Sequence, residues 1–392
     1  MPGQDGTPTI MDVARLAGVS LATASRSLAG SRRVGEKLRL RVLEAAEALD
    51  YSPNLHARAL ASSEDTTIAV IVHDSSDPYF IEILRGMLDR AQVSERIVVV
   101  CDTNRDPERE FNYVRHFRRQ RVQAILLAGS GFEDRDFGVR MTSEIRAFER
   151  YGGRVALIGP HKILGDIVMP DNEDGACQMA VSLAALGHRR IGVISGPPAL
   201  TTTQDRLAGF RRGLNQAGLS PSDKLIRPGD FSRDGGERAM DDLLGSGEEI
   251  TAVFALNDVM AIGALRSLRR RGLRVPEDMS VAGFDDIPIA ADVWPPLSTV
   301  RVPLVELGAQ AVNLVLEPQK GRFRFEKLAT AVVMRDSTAP TKSRRRAPAA
   351  APNGRRKADP TDDAKLPARR LAGVGSGNGR SSRRGGSTSL GA

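Results

Sequence analysis

Five residues near the N-terminus, Leu21, Ala22, Thr23, Ser25 and Arg26, have the types and spacing to read a nucleic-acid duplex. On one helix they form an exposed face that is small and hydrogen-bonding rather than charged and solvated. Such a face can approach base pairs closely. Thr and Ser hydroxyls bond phosphate oxygens, and an arginine fork matches O6 and N7 of guanine. The alternative is an ordinary helical hairpin that packs on another part of the chain.

The neighbouring residues supply the elements that would hold this face. Thr9 and Asp12 form a capping-box-like start, followed by Val13, Leu16 and Ala17 on one helical side. Gly18 allows a tight turn and Val19 can plug the angle between two helices. Ser20 caps a second helix, Leu21 to Leu28, with Ala24 and Leu28 inward. A third helix fits Glu36 to Leu49, with Leu38, Val42, Ala46 and Leu49 on one side. Together these predict a helix-turn-helix. Beyond it, Ser52 and Pro53 can start a helix of about two turns through Leu60. That segment is too short to be stable alone and folds when it finds a partner.

Other chemistries find little support. There is no phosphate-binding GxxxxGK[ST], HExxH or GxSxG, and no nucleophile–base pair stands out, so no catalytic residue is assigned. Five scattered histidines lack metal spacing, and Cys101 and Cys177 form no CxxC, so neither a metal site nor a cofactor is expected. His188 reads as fixing a helix end. No apolar run approaches a membrane span and the N-terminus does not read as a signal peptide, which points to the cytoplasm and no membrane partner. Aromatics, at 4%, are too few for a single-strand stacking platform.

Charge divides the chain. The formal +8 comprises a net +2 in residues 1–63, −4 in 64–339 and +10 in 340–392. The large middle is therefore a mildly acidic globule. The last segment, rich in Ala, Gly, Ser, Pro and Arg, contains no Phe, Tyr, Trp, Ile or Met and is expected to be disordered. It could add a weak, salt-sensitive attraction to phosphates, or be a solvated tail without a specific role.

The middle alternates strand and helix. Apolar runs at 67–72, 97–101, 124–127 and 155–158 read as buried parallel strands, with helices at 81–91 and 108–119. A second set has strands at 190–194, 252–255 and 280–284 and helices at 177–186, 206–217 and 258–271. The pattern predicts an α/β protein with two parallel-sheet lobes and a ligand cleft at the carboxyl ends of the strands.

The N-terminal stretch Thr9–Ala14, Ala17–Ser20 and Thr23–Leu28, with Tyr51-Ser52-Pro53-Asn54 and Ala57–Leu60, resembles the headpiece of the lactose-repressor (LacI-type) family of bacterial regulators. The resemblance continues through Asp77–Phe80, Asp171-Asn172, Leu186–Ile191, Arg206–Phe210, Asn257-Asp258, Gly283–Asp286 and Pro295–Val300, spanning roughly 7–339. It implies a headpiece over 1–52, a hinge helix and linker over 53–63, a two-lobed periplasmic-binding-protein-like core over 64–339 and a tail over 340–392. The function implied is sequence-specific repression at a palindromic operator by a homodimer, under control of a small effector such as a sugar. A solute-binding receptor with the same two lobes is the alternative.

The same resemblance implies that Leu21, Ala22 and Arg26 read bases and that Thr23 and Ser25 anchor phosphates. It adds Asn54 as a DNA contact and Leu60 as a minor-groove wedge, which would bend the duplex. It implies an effector site of Asp74, Tyr79, Arg206, Phe231, Asn257 and Asp285, and lobe crossovers near 169–172, 299–301 and 326–331. In such a site Asp285 can accept hydroxyl donors, Arg206 can clamp hydroxyls or a carboxylate, and Phe231 offers a stacking face. Sequence departures are Ala29, Gly35 and Leu38 in the headpiece and Gly159 in the core, where sugar-binding members often carry Asp.

Overall fold

The computed structural model describes residues 8–28, 34–51, 66–318 and 321–341. The expected hinge residues, with Asn54 and Leu60, lie outside them, as do Ala29 and almost all of the tail. The N-terminal three-helix unit comprises α1 (Ile10–Leu16), α2 (Leu21–Leu28) and α3 (Glu36–Ala48). Its core is small: Val13, Ala14, Ala17, Ala24, Val42, Ala45 and Ala46. Leu38 was expected to face inward but is 40% exposed; Ala45 takes the inner position instead.

The first lobe is a six-stranded parallel sheet ordered β11-β5-β4-β3-β1-β2. Its strands are β1 (Thr67–Val72), β2 (Ile97–Asp102), β3 (Ala124–Ala128), β4 (Arg154–Ile158), β5 (Asp166–Pro170) and β11 (Phe325–Leu328). The central strands β1 and β3 are apolar and buried on both faces, as a sheet covered by helices on each side requires. Those helices include α4 (Pro78–Val93), α5 (Pro107–Gln120) and α6 (Arg135–Arg150). In α6, Phe137, Met141, Ile145 and Phe148 form one buried stripe against the sheet.

The second lobe is a four-stranded parallel sheet, β7-β6-β8-β9, made of β6 (Ile191–Ser195), β7 (Ile226–Pro228), β8 (Ala252–Ala255) and β9 (Ser280–Ala282). Helices α7 (Asn172–Ala185), α8 (Thr201–Gln216), α9 (Arg233–Gly245) and α10 (Asp258–Arg270) cover it. His188 is structural here. Its ring nitrogens pair with Thr251 Oγ1 and the Ala339 carbonyl, tying the end of the core to the sheet.

The chain crosses between lobes three times. It passes from β5 into α7 at Asp171, from β10 (Thr299–Arg301) into α11 (Leu304–Leu316), and from β11 into β12 (Ala331–Val333). Helix α11 returns to pack on α4 of the first lobe, where Gly308 faces the Ile83 carbonyl so closely that no side chain fits. Strands β10 and β12 pair antiparallel into a two-stranded ribbon. All three crossings meet at Gly175, where an added Cβ would lie 2.6 Å from Thr330 Oγ1 and 2.7 Å from Val300 Cγ1. Among the described residues, no helix is long and apolar enough to cross a membrane.

Candidate functional site

In both sheets the strand order reverses beside the first strand: between β1 and β3 in one, and between β6 and β8 in the other. The crevice outside the carboxyl ends of strands at such a reversal is where open parallel sheets bind ligands. A cavity of about 50 Å³ lies there, lined from the first lobe by His73, Asp77, Tyr79, Phe80, Gly129 and Ser130. Leu200, Thr202, Arg206, Phe231, Asn257 and Asp285 line it from the second.

Five of the six expected effector residues therefore come together. Arg206, Asn257 and Asp285 are each at most 3% exposed. Arg206 is fully engaged within its own lobe: Nε donates to Asn172 Oδ1 at 2.9 Å, Nη1 to the Leu256 carbonyl, and Nη2 to Asp285 Oδ1 at 2.8 Å. Its guanidinium also lies 3.8 Å over the Phe284 ring. This arginine thus presents Asp285 rather than offering a free fork. Burial pushes the Asp285 carboxyl up to about 7 despite the opposing pull of Arg206. Asn257 caps α10, accepting from Met260 N at 2.9 Å, while its amide donates to the Phe231 carbonyl at 3.4 Å. Phe231, held at φ +64°, lays its ring on Gly196, where a Cβ would come within 2.1 Å of the ring.

Asp74 is not brought to the cavity. Alternation at the end of β1 turns His73 inward and leaves Asp74 on the rim. There it accepts from Arg105 Nη1 at 2.8 Å and from Ser76 N at 3.0 Å. Partial burial opposes those bonds, yet they hold its carboxyl below the usual range. Asp77 takes the inner place. It caps α4 by accepting from Tyr79 N at 3.0 Å, and burial raises its carboxyl. Burial likewise raises the Tyr79 phenol. Behind His73, whose Nε2 lies 3.3 Å from Glu110 Oε2, the buried ring of His161 is pushed down to about 4 by desolvation.

His73, Asp77, Ser130 and Thr202 were not anticipated. A positional signal existed, because His73 directly follows β1 and Ser130 nearly follows β3, the two strands flanking the reversal. Gly159 sits at φ +103°, and a Cβ there would meet the Gly129 carbonyl at 2.4 Å. This backbone leaves no room for the Asp expected of sugar-binding members.

Across the cleft the lobes touch directly. Thr201 Oγ1 donates to the Pro160 carbonyl at 2.6 Å, Thr202 N to Ser130 Oγ at 2.8 Å and Glu133 N to the Ala199 carbonyl at 2.9 Å.

In the N-terminal unit, Thr9 N and Oγ1 both donate to Asp12 Oδ2, at 3.0 and 2.7 Å. Ser20 Oγ accepts from Thr23 N at 3.2 Å, and Gly18 turns at φ +62°. Leu21, Ala22 and Arg26 are exposed and Thr23 and Ser25 half-buried, while Ala24 and Ser27 point inward. The five expected reading residues thus share an accessible side of α2.

Residues 9–54 match the bacterial regulatory proteins of the lacI family, and 180–338 match a periplasmic binding protein-like domain. The HTH-type transcriptional regulator DegA of Bacillus subtilis is 33% identical over 85% of this chain and 98% of its own length. The chain belongs to the LacI family. Other LacI-family relatives include the repressor PurR of Haemophilus influenzae, 34% identical over 79% of this chain and 90% of its own. The lac repressor dimer solved with operator and the anti-inducer ONPF shares 27% identity at a TM-score of 0.72, covering 85% of this chain and 99% of that one. The regulator CelR solved with cellobiose shares 30% identity at a TM-score of 0.62, covering 84% and 99%. This LacI-family chain is a DNA-binding transcriptional regulator with a helix-turn-helix headpiece and a two-lobed core.

Proposed function

We propose that the protein is a repressor that binds a palindromic operator as a homodimer and is controlled by a small polar metabolite in the interlobe cavity. It is not an enzyme in this reading, and it works where the chromosome is, in the cytoplasm. Residues 1–52 form the headpiece, 53–63 the hinge and linker, 64–339 the core and 340–392 a basic tail. The observation that carries the effector role is the convergence of Tyr79, Arg206, Phe231, Asn257 and Asp285 on one cavity between the two lobes. Leu21, Ala22 and Arg26 read bases, Thr23 and Ser25 anchor phosphates, Asn54 contacts the DNA, and Leu60 wedges into the minor groove at the operator centre. Asp74 contributes from the rim through Arg105.

Support for a second copy comes from an exposed apolar face. The edge strand β2 leaves Ile97, Val99 and Val100 uncovered, beside Ile81 and Leu88 of α4. In the second lobe Ile289 and Trp294 are exposed too, the latter beside an open groove of about 670 Å³. Uncovered apolar edges of this kind are templates for association.

The test has two arms. A palindromic duplex selected from random sequence by the full-length protein is titrated in a mobility-shift assay. The protein is then screened against sugars and nucleosides by thermal shift, since a ligand selective for the folded state raises its apparent stability. The expected result is a specific shift that one stabilising metabolite alters. Retention of no duplex over non-specific DNA overturns the repressor reading; binding without any metabolite response overturns the effector reading.

A further inference from the structure

Immediately after Asp285 the chain carries a second acid that faces away from the cavity. Asp286 Oδ2 accepts from Arg301 Nε at 2.7 Å, and Oδ1 accepts from Arg335 Nη2 at 2.7 Å. Arg301 ends β10, and Arg335 follows β12 by two residues. The carboxylate therefore grips both strands of the ribbon on which the chain passes between the lobes. Arg335 is fixed in turn, with Nη1 donating to the Leu297 carbonyl at 2.7 Å.

The backbone makes the same link. Asp285 N donates to the Val300 carbonyl at 2.8 Å, and Val302 N donates to the Asp285 carbonyl at 3.2 Å. The loop is also pinned from below by the buried Asp258. That side chain accepts from Thr299 Oγ1 of β10 at 2.6 Å and from Ile287 N at 3.0 Å. Within this frame Asp285 and Asp286 both adopt positive φ, +114° and +55°. Two consecutive non-glycine residues in that region are strained, and such strain persists only where the surroundings over-determine it.

We infer that Asp286 is a positioning residue that locks the crossover ribbon, so that the angle between the lobes and the place of Asp285 in the cavity vary together. A group in the cavity that displaces Asp285 turns the Asp285–Asp286 peptide. That turn moves Arg301 and Arg335, and with them the ribbon. Because Gly175 leaves no slack where the crossings meet, the ribbon cannot absorb the movement locally. The lobes rotate instead, by a hinge at element ends. The inference rests on the cavity being the effector site, but the angle it concerns is measurable without a ligand.

The experiment is single-molecule energy transfer on the full-length protein. Dyes are placed at Val139→Cys in the first lobe and Lys224→Cys in the second, in a Cys101→Ser, Cys177→Ala background. Excess unlabelled chain keeps both dyes on one protomer. Asp286→Asn is expected to shift or broaden the interlobe distance distribution while far-UV dichroism stays native. Asp285→Asn is expected to shift it as well, and the double variant to match Asp286→Asn rather than add to it, since one variable is being released. A merely stabilising Asp286 would lower the melting temperature and leave the distance unchanged, and that result overturns the proposal. So does a double variant whose shift is the sum of the two. If Asp286→Asn does not fold, Arg301→Gln and Arg335→Gln each remove one of its two bonds and are expected to give partial shifts; wild-type distances in both overturn it. Should sugars and nucleosides fail to move the wild-type distance while Asp286→Asn does, the effector reading fails and the lock stands.

Discussion

The two walls of the cavity are built differently. On the second-lobe side, Arg206, Asn257 and Asp285 are buried, and their polar atoms bond within that lobe, to Asn172, Leu256, Met260 and Phe231. On the first-lobe side, Asp77 leans on Arg105, a loop residue that is itself 19% exposed. Ser130 Oγ accepts from the backbone N–H of Thr202 in the opposite lobe. One wall is held together within its own lobe; the other is held partly from across the cleft. For the proposed effector, preorganisation of this asymmetric kind would let one jaw select and the other report.

The sharpest way to break the comparison is Arg206→Leu. Removing the guanidinium strips three buried acceptors, Asn172 Oδ1, the Leu256 carbonyl and Asp285 Oδ1, of their donor, which together costs about 3–5 kcal/mol. The urea midpoint should drop accordingly; a loss under about 1 kcal/mol would mean that the second wall is not the rigid one. Next in size is a pH effect. The folded-state value of Asp285, about 7, lies above its ordinary 3.8. The stability tied to its neutral form is therefore complete below about pH 4 and is lost as pH rises towards 7. Asp285→Asn should lessen that decline, as judged from urea midpoints measured across the interval. Parallel profiles for variant and wild type would contradict it.

Smaller effects belong to the first wall. Thr201→Val deletes the hydroxyl that reaches the Pro160 carbonyl and should favour opening by about 1 kcal/mol. Faster amide exchange at Thr202 and Glu133, whose amides bond across the cleft, with exchange in β6 and β8 unchanged, is the expected signature. Arg105→Gln should cost the least, under about 1 kcal/mol, because its pair with Asp74 is partly screened at the rim and its pair with Asp77 is long, 3.4 Å. A loss as large as that of Arg206→Leu would erase the distinction between the walls.

The same asymmetry explains what the chain disclosed before its structure was known. Strands such as 67–72 and 252–255 are continuous apolar runs, and parallel sheets buried on both faces have no other way to be written. Strand β5 carries no such run: it opens on Asp166, whose buried carboxylate is matched by Arg154 and Arg324 from distant segments. Helix α6 has an apolar stripe only one residue wide among many charges. Helix α11 is apolar enough to recognise, but nothing local says that it returns to the first lobe. In the cavity, Asp285, Asn257 and Arg206 stand in motifs, whereas His73, Asp77 and Ser130 owe their roles to where strands end. His73 faces the cavity and Asp74 the rim because successive residues of an extended chain point to opposite faces.

The single tryptophan of the chain has an optical consequence. Trp294 is 88% exposed on one face of the second lobe, beside a groove that also carries Arg233, Arg266, Arg269 and Arg274. All indole emission from the protein thus comes from one ring in water, red-shifted and open to collisional quenchers such as iodide. Dilution should report the covering of that face without any dye: a blue, protected spectrum at high concentration giving way to a red, quenchable one as copies separate.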